Sequence, residues 1–305
     1  MQRLFGSIGA AAAIALCACS QKEAAKPDSA PVAQAGAAAS RASYDPATHV
    51  AVVHAKDFSF EAPDSVGAGW TTFHLVNDGP AIHHMQLVRI DSGKTVQDVV
   101  TAMDALIKRQ GPPAAWLTLV SGPNAPNPGG AESDATINLE RGNYALICLV
   151  DIPSHVAHFE KGMVRALKVT AASGVAAAEP TADVTLALSD YKFEPTGPLT
   201  TAGTHTFKVT NAGPQPHEVE IIRFAPGKTM KDVGEFMAAA MGPNPPAGPP
   251  PGDLIGGLSA GQAKQVAYFT ANLTPGNYVM LCFISDAKDG KMHVEHGMVR
   301  EFEVK

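Results

Sequence analysis

The segments NDGPAIH, Asn77 to His83, and NAGPQPH, Asn211 to His217, are two copies of one motif, and they decide how the chain is read. Two further segments recur after each copy in the same order: YALIC (Tyr144–Cys148) with YVMLC (Tyr278–Cys282), and HFEKGMV (His158–Val164) with HVEHGMV (His293–Val299). Internal repetition over such a distance indicates that one structural unit occurs twice in the chain.

Each repeat supplies the same four side chains that bind soft metal ions, in the order histidine, cysteine, histidine and methionine. Mononuclear (type 1) copper that alternates between Cu(I) and Cu(II) is held by two imidazoles, a thiolate and a weak thioether. The spacing therefore predicts one copper site in each repeat. The candidate ligands are His83, Cys148, His158 and Met163 in the first repeat, and His217, Cys282, His293 and Met298 in the second.

Two adjacent histidines leave a choice of ligand near the start of the first repeat. Alternation along a β-strand puts every second residue on the same face. His83 therefore shares the inward face with Met85 and Leu87. His84 falls on the other face, and we expect it to be a solvated surface residue.

The segment before each methionine also holds two histidines. Only one of each pair keeps the same distance to the methionine in both repeats. This criterion selects His158 over His155 in the first repeat. It selects His293 over His296 in the second.

Short runs rich in β-branched and aromatic residues fill both repeats and are separated by Gly, Pro and Asn, which is typical of β-strands. In the first repeat they are VAVVHA, TTFHLVN, HMQLVRI, ATINL and YALICLV, and in the second VTLALS, HTFKVTN, EVEIIRF, QVAYFTANL and YVMLCFI. Strands of this length and number predict an all-β chain of two tandem β-sandwiches.

One helix is predicted inside each repeat. Thr95 and Thr229 can cap these helices, since an aspartate, Asp98 or Asp232, follows each of them three residues later. Apolar residues then recur at helical spacing. The proline- and glycine-rich stretches after the helices are interpreted as long loops without regular structure.

The N-terminus has the features of a bacterial export signal. Arg3 precedes an apolar run, Leu4 to Leu16, that is too short to span a bilayer. LCAC, Leu16 to Cys19, resembles a lipobox, so residues 1–18 are predicted to be a signal peptide and Cys19 to be lipidated. Ser20 does not match an inner-membrane retention signal. The predicted location is the periplasmic face of the outer membrane, or the periplasm.

The composition of the remaining chain indicates a tether and two domains joined by a linker. Residues 19–47 contain almost no large apolar side chain and are predicted to be a flexible tether. The first domain is predicted at 48–170, a short linker at 171–182, and the second domain at 183–305. The chain has 45% hydrophobic residues and a net charge of -6 without a cluster of Lys or Arg, which argues against a nucleic-acid partner.

Cleavage and lipidation leave Cys148 and Cys282 as thiols. The oxidising compartment of an exported protein favours disulfides. These two cysteines, however, occupy equivalent strand positions in separate repeats. A bridge requires Cα atoms within about 7 Å. A disulfide between them is therefore not predicted.

The combination of N-x-G-P-x-x-H, Y-x3-C and H-x4-M-V resembles the motifs of the plastocyanin family of cupredoxins. The resemblance covers both folded repeats. It implies two tandem cupredoxin-like β-sandwich domains, here with one inserted helix each, and up to two type 1 copper ions per chain. It also implies the eight ligands named above and a solvent-near histidine through which electrons enter and leave.

The segment between the cysteine and the next histidine is longer than in plastocyanins. It runs from Leu149 to Ala157 in the first repeat and from Phe283 to Met292 in the second. Both loops contain polar residues, and we expect them to be exposed. A longer loop is expected to fix the ligands less tightly and to admit water.

The function predicted from these features is electron transfer by a membrane-tethered periplasmic protein, with an unidentified redox protein as partner. The alternatives are a protein that buffers Cu(I) or delivers it to a partner, and a metal-free cupredoxin-like module. A copper oxidase or nitrite reductase requires further histidines, usually as H-x-H or H-C-H, and neither pattern occurs in the sequence. The chain is therefore not predicted to be an enzyme.

Overall fold

The computed structural model describes residues 41–91, 93–152, 156–172, 174, 176–240, 246 and 248–305. The elements of the first repeat are β1 (Ser43–Asp45), β2 (Val50–Lys56), β3 (Ser59–Glu61), β4 (Ser65–Gly67), β5 (Gly69–Asn77), β6 (Gln86–Ile90), α1 (Val96–Ile107), β7 (Leu117–Leu119), β8 (Ala131–Leu139), β9 (Gly142–Ile147), β10 (Asp151–Ile152), β11 (Val156–Ala157) and β12 (Val164–Thr170). Those of the second are β13 (Val184–Ser189), β14 (Lys192–Thr196), β15 (Gly203–Asn211), β16 (His217–Phe224), α2 (Met230–Ala240), β17 (Gly252–Gly261), β18 (Val266–Leu273), β19 (Gly276–Leu281) and β20 (Val299–Val304). A short 3-10 turn precedes β12 (His158–Lys161) and another precedes β20 (His293–His296).

Each repeat packs two sheets face to face. Along β5, buried Phe73 and Leu75 alternate with partly exposed residues, and Phe207 and Val209 do the same along β15. This period-two pattern belongs to strands with one face on a core. The opposing sheets have the strand orders β4-β12-β9-β6-β7 and β17-β16-β19-β20. The predicted all-β fold class, with one helix in each repeat, is confirmed.

One sheet runs through both repeats. Its order is β1-β2-β5-β8-β18-β15-β13-β14, with β3 attached to β2. β8 and β18 join the repeats as an antiparallel pair in which Ala267 lies opposite Ile137 and Tyr268 opposite Thr136. The described parts of both repeats consequently belong to one compact unit.

The helices begin where the sequence predicts. The Thr95 side chain accepts a hydrogen bond from the Asp98 backbone N–H, and the Asp98 carboxylate accepts one from the Thr95 backbone, which closes a capping box. At the second helix, Thr229 donates its backbone N–H and its hydroxyl to the Asp232 carboxylate. No helix among the described residues is long and apolar enough to cross a membrane.

The stretches after the helices are more ordered than the sequence indicates. β7 pairs with β6, and the glycine-rich β17 pairs with β16. The chain after β7 then crosses to the second repeat and forms single bridges with β17: Val120 with Gly261, Pro123 with Leu258, and Pro126 with Ile255. We name residues 120–127 the crossing segment.

The crossing segment covers the face that carries His84, a residue predicted from the sequence to be solvated. The expectation for His84 is wrong: it is 6% exposed, and its Nδ1 lies 3.3 Å from Asn124 Oδ1. Glu218 and Glu220 on β16 are also buried, and the Ala125 backbone N–H donates to Glu220 Oε2 at 3.1 Å. Strand alternation identifies the two faces correctly, but a neighbouring repeat covers the second one.

Burial of Glu220 gives the fold a pH dependence that a substitution can test. Burial, reinforced by the Glu218 carboxyl group, raises the pKa of Glu220 well above 4.5. Because the native carboxyl group keeps its proton to a higher pH than the unfolded one, stability falls as pH rises above about 4.5. We expect Glu220→Gln to raise the free energy of unfolding at pH 8 by about 1–3 kcal/mol, with little effect at pH 4.

Urea denaturation of Glu220→Gln at both pH values measures this difference. Glu194→Gln is the matched control, because Glu194 is an exposed glutamate on β14 of the same repeat. An equal increase in the free energy of unfolding of both variants at pH 8 would contradict the explanation that burial of Glu220 causes the pH dependence.

Several predictions concern residues outside the described ranges. These are the signal peptide at 1–18, lipidation of Cys19, and the alternative loop histidine His155. The described part of the predicted tether contains β1, Ser43–Asp45, which pairs with β2. The domain boundaries remain predictions.

Candidate metal centre

The first histidine of each repeat is fixed by an aspartate from a neighbouring hairpin. Asp57 lies at the turn between β2 and β3, and its Oδ1 is 2.6 Å from His83 Nε2. In the second repeat, Asp190 Oδ1 lies 3.0 Å from His217 Nε2. A carboxylate at this distance accepts the Nε2–H proton, which leaves the Nδ1 lone pair free to bind a metal ion.

The motif N-x-G-P-x-x-H is explained by this aspartate–histidine pair. A Cβ at Gly79 would lie 2.7 Å from Asp57 Oδ1 and 2.8 Å from His83 Nε2. A Cβ at Gly213 would lie at 2.9 Å and 2.8 Å from the equivalent atoms of Asp190 and His217. The glycine is therefore required by space and not by its backbone angle. The motif asparagine shapes the same turn, since its side-chain oxygen accepts from the glycine N–H in both repeats.

Adding one methyl group at this glycine should disable one site selectively. We expect Gly79→Ala to displace Asp57 and His83, to lower the free energy of unfolding by about 1–3 kcal/mol, and to remove metal from the first repeat only. Metal analysis and thermal unfolding measure the two effects. Gly234→Ala is the control, because a Cβ at that helical position meets nothing within 4 Å. Full metal content in Gly79→Ala would contradict this explanation of the motif.

The cysteine, the second histidine and the methionine are tied together by the same backbone hydrogen bonds in both repeats. Phe159 N–H donates to Cys148 O at 2.9 Å, and Met163 N–H donates to His158 O at 3.0 Å. The equivalent bonds in the second repeat are Val294 to Cys282 at 2.9 Å and Met298 to His293 at 2.9 Å. The spacing H-x4-M is thus the spacing of a 3-10 turn that closes onto the cysteine.

A glycine in the left-handed region ends each turn. Gly162 has φ 100° and Gly297 has φ 88°, values that other residues rarely adopt. This geometry explains why H-x3-G-M recurs unchanged although the preceding loops differ in length.

The structure brings two histidines and the cysteine of each repeat to one point. His83 Nδ1 lies 3.0 Å from His158 Nδ1, and Cys148 Sγ lies 3.5 Å from His158 Nδ1. In the second repeat, the same distances are 3.0 Å from His217 to His293 and 3.4 Å from Cys282 to His293. In both groups the potential ligand atoms all lie within 4.8 Å of one another.

These distances fit a shared metal ion. With the bond lengths of zinc sites, about 2.0 Å to nitrogen and 2.3 Å to sulfur, two ligand nitrogens lie about 3.3 Å apart, and nitrogen and sulfur about 3.5 Å apart. The donor set of imidazole and thiolate is one that copper and zinc accept, whereas magnesium and calcium prefer oxygen. The residues present therefore fit the copper that the sequence predicts.

The methionines are buried beside the same cysteines. Met163 and Met298 are fully buried in the core cluster that contains Cys148 and Cys282. The Cys148 N–H donates to Met163 O at 3.2 Å, so the two residues are neighbours across the β9–β12 pair. A role of either thioether as an axial ligand remains a proposal.

Burial controls the protonation of the donors. It lowers the pKa of His158 and of His293 to about 4, so both imidazoles are neutral near pH 7. It also raises the pKa of the Cys148 thiol to about 12 and that of Cys282 still further. Backbone N–H groups partly offset this increase: those of His84 and Val150 favour the Cys148 thiolate. Metal binding must therefore displace one thiol proton per site.

The loop of the second repeat is held more firmly than its length predicts. Asp286 is buried and accepts hydrogen bonds from Tyr191 Oη at 2.5 Å, from Gln215 Nε2 at 2.8 Å and from the Lys288 backbone N–H at 2.7 Å. The bonds from Tyr191 and Gln215 hold the pKa of Asp286 well below its usual range. Arg109 of the first repeat also donates to the carbonyl oxygens of Asp286 and Lys288 at 3.2 Å and 3.3 Å. Six of the ten loop residues are exposed, as expected, but these hydrogen bonds show that the loop is not loosely held.

The loop histidines are covered by aromatic rings and not by solvent. His158 is 2% exposed and packs edge-on against Phe58, with ring centroids 4.9 Å apart. His293 is fully buried and packs against Tyr191 at 5.4 Å. The solvent-near histidine implied by the family resemblance is therefore absent at these two described positions.

Sequence reasoning missed Asp57, Asp190, Phe58 and Tyr191. Each Asp–aromatic dipeptide places its carboxylate on the first histidine and its ring against the second. A signal was present, because DFSFE (Asp57–Glu61) recurs as DYKFE (Asp190–Glu194). The alternative histidine His296 is not part of this donor group: it pairs with Asp289 at 3.1 Å and packs against the Tyr191 ring, with centroids 4.8 Å apart.

Comparisons with known proteins give structural likenesses only. No family model and no curated protein sequence matches the chain. A reduced auracyanin from Roseiflexus castenholzii is 17% identical with a TM-score of 0.29, covering 40% of this chain and 95% of that one. Auracyanin B is 21% identical with a TM-score of 0.27, covering 43% and 95%. A blue copper oxidase from Nitrosomonas europaea is 15% identical with a TM-score of 0.24, covering 83% and 85%. At such low TM-scores, the site must be judged by its own residues.

Proposed function

We propose that this protein binds one type 1 copper ion in each repeat and transfers electrons. The observation that carries the proposal is the convergence, twice, of two imidazole nitrogens and a thiol in a closed, buried site. His83, Cys148 and His158 would hold the copper of the first repeat together with Met163, and His217, Cys282 and His293 that of the second together with Met298.

Bound copper would supply a one-electron couple between Cu(I) and Cu(II). The chain's own residues keep the donors in place. Asp57 and Asp190 hold the proton on Nε2 of the first histidine, and the 3-10 turns hold the second histidine and the methionine against the cysteine. A frame fixed in this way changes little when the charge of the ion changes, which favours rapid electron exchange.

Burial of the donors favours an electron carrier over an enzyme. Catalytic metal sites keep an open coordination position for water or substrate. Here the histidines, cysteines and methionines of both sites are at most 2% exposed. A substrate has no access to the donor atoms, so we propose that the protein exchanges electrons with a partner redox protein and transforms no substrate.

Copper reconstitution tests the proposal. The metal-free protein is loaded with Cu(II) and then cycled with a mild reductant and oxidant. We expect two copper ions per chain and an intense absorption in the red part of the visible spectrum that disappears and returns through several cycles. A colourless protein, or one that binds no copper, would overturn the proposal.

The same preparation separates electron transfer from copper delivery. A delivery protein must release Cu(I) to a chelator of modest strength, whereas an electron carrier keeps it. We expect Cu(I) to be retained, because the donors are buried and supported by a second layer of hydrogen bonds. Rapid loss of Cu(I) to the chelator would favour delivery.

We also propose that the chain acts in the periplasm, anchored through Cys19 to the outer membrane. This part of the proposal is supported by the N-terminal sequence alone, in which an apolar run precedes LCAC.

A further inference from the structure

The residue after the first histidine plays the same part in both repeats, although it is His84 in one and Glu218 in the other. His84 Nε2 accepts a hydrogen bond from the Leu149 backbone N–H at 2.8 Å. Glu218 Oε1 accepts one from the Phe283 backbone N–H, also at 2.8 Å. Each donor directly follows a ligand cysteine. In each site, the residue after the ligand cysteine is therefore hydrogen-bonded to a buried polar side chain on the face turned toward the other repeat.

Asn124 of the crossing segment joins these two faces. Because His84 Nε2 accepts from Leu149, the proton of a neutral His84 ring lies on Nδ1, which faces Asn124 Oδ1 at 3.3 Å. The other end of the same amide donates from Nδ2 to Val219 O at 3.2 Å. Val219 is bonded directly to Glu218, whose side chain accepts from the Phe283 N–H next to Cys282.

A continuous route of covalent and hydrogen bonds consequently runs from one cysteine to the other. It passes from Cys148 to the next residue, Leu149, whose N–H donates to the His84 ring, and then across the Asn124 amide to Val219. From Val219 it continues through the Glu218 side chain to the N–H of Phe283, which is bonded to Cys282. Residues 121–126 are all buried, so water is excluded from the crossing. Asn124 is the one side chain on this route that bonds to both repeats.

We propose that Asn124 connects the two metal sites and that one electron passes between them along this route. The inference rests on the proposed function and makes each metal site the electron-transfer partner of the other. One electron leaves the reduced site and enters the oxidised site. No bond forms or breaks, and His84 and Asn124 keep their protons. Tunnelling decays less steeply along covalent and hydrogen bonds than through space, so the bridge sets the rate.

Pulse radiolysis of the copper-loaded full chain tests the route. Met298→Leu changes the axial position of the second site, which separates the potentials of the two sites. In this background, an electron delivered to the first site should move to the second in a first-order step independent of protein concentration. We expect Asn124→Ala to slow this step by about tenfold while both absorption bands persist.

Asn127→Ala is the matched control. Asn127 belongs to the same crossing segment and also bonds to the second repeat, through Asp253 at 3.0 Å and the Leu254 N–H at 2.9 Å, but it touches neither the histidine nor the cysteine strand of a site. The rate of intersite electron transfer in Asn127→Ala should equal that of the Met298→Leu parent. An unchanged rate in Asn124→Ala, or equal slowing in both variants, overturns the proposal.

Two variants at position 84 keep the test decisive if Asn124→Ala does not fold. Gln can accept from Leu149 and donate to Asn124, whereas Leu can do neither. We expect His84→Gln to retain most of the intersite rate and His84→Leu to lose it. Equal rates in these two variants would contradict the route.

A second readout needs no redox chemistry. Zn²⁺ is added to Cys148→Ser, so that only the second repeat can bind it, and the Leu149 amide of the first repeat is followed by NMR. We expect the chemical shift of this amide to change on Zn²⁺ addition in Cys148→Ser. In the double variant with Asn124→Ala it should stay unchanged. Failure of Zn²⁺ to bind counts against the proposed metal site, whereas binding without a shift of Leu149 counts against the connection through Asn124.

Discussion

Replacing both ligand cysteines by serine should abolish the red absorption of the copper-loaded protein. This band arises from charge transfer between a thiolate and Cu(II), and a serine hydroxyl keeps its proton and is a much harder ligand. Cys148 and Cys282 lie within 3.5 Å and 3.4 Å of a histidine nitrogen in their own repeats. Each single substitution should therefore remove about half of the absorption per chain, and the double substitution all of it.

The measurement is absorbance normalised to protein, with copper content determined on the same samples. Circular dichroism and thermal unfolding show whether each variant is folded, because a hydroxyl group in these buried positions destabilises a core by about 1–3 kcal/mol. Cys148→Ala and Cys282→Ala supply a second pair in which no hydroxyl is buried. A folded double variant that keeps the red band would remove the cysteines from the site.

Local pattern was sufficient to identify the residues that converge. Alternation along the run HMQLVRI and the residue before it selects His83, and the constant spacing to the methionine selects His158 and His293. These criteria depend on the chain's own periodicity: a strand repeats every two residues, and a 3-10 turn ended by a left-handed glycine has a fixed length. Helix capping by Thr95 and Thr229 was predictable for the same reason.

What covers a strand face was not predictable from one strand. Alternation correctly predicts that His84 lies on a different face from His83, and Glu218 and Glu220 lie on the equivalent face of β16. Their burial depends on the crossing segment, whose path follows from the pairing of β8 with β18 and from single bridges to β17. Proline and glycine in this segment carry no periodic signal, so its packing against the second repeat is not predictable from the sequence.

Contacts between separate hairpins were missed for a related reason. Asp57 meets His83 only after β3 has paired with β2 and the sandwich has closed. Nothing in the local sequence distinguishes this aspartate from a surface turn residue. The repeat itself was the available signal, because Asp190 recurs in the same context and pairs with His217.

The firmness of the second loop also depends on distant residues. Arg109 belongs to the first repeat, and Gln215 precedes the first ligand of the second repeat, yet both hold Asp286. Length alone predicted a loose loop, and side-chain hydrogen bonds from elsewhere in the fold reversed that outcome. The first repeat therefore supports the loop of the second site as well as sharing a sheet with the second repeat.

Removing the charge of the aspartate that supports one histidine should weaken copper binding at that site by about 10–100-fold. Asp57→Asn keeps the size of the side chain but replaces a carboxylate that lies 2.6 Å from His83 Nε2. The neutral amide stabilises the cationic metal less and orients the imidazole less firmly. Cu(II) should lose more affinity than Cu(I), so the potential of the first site should rise, by about 59 mV for each factor of ten in that difference. Asp190→Asn should do the same to the second site.

Competition with a chelator at both oxidation states, together with redox titration, measures these effects, and the unaltered repeat is an internal reference. Asp78→Asn is the matched control, because Asp78 Oδ2 lies 2.8 Å from Nδ1 of buried His54, which is not one of the candidate ligands. It should change stability without changing copper affinity or potential. Equal losses of affinity in Asp57→Asn and Asp78→Asn would show that the carboxylates act through overall stability and not through the metal ligand. A loss confined to the first repeat in Asp57→Asn, and to the second in Asp190→Asn, is the pattern that a hydrogen bond to a ligand histidine requires.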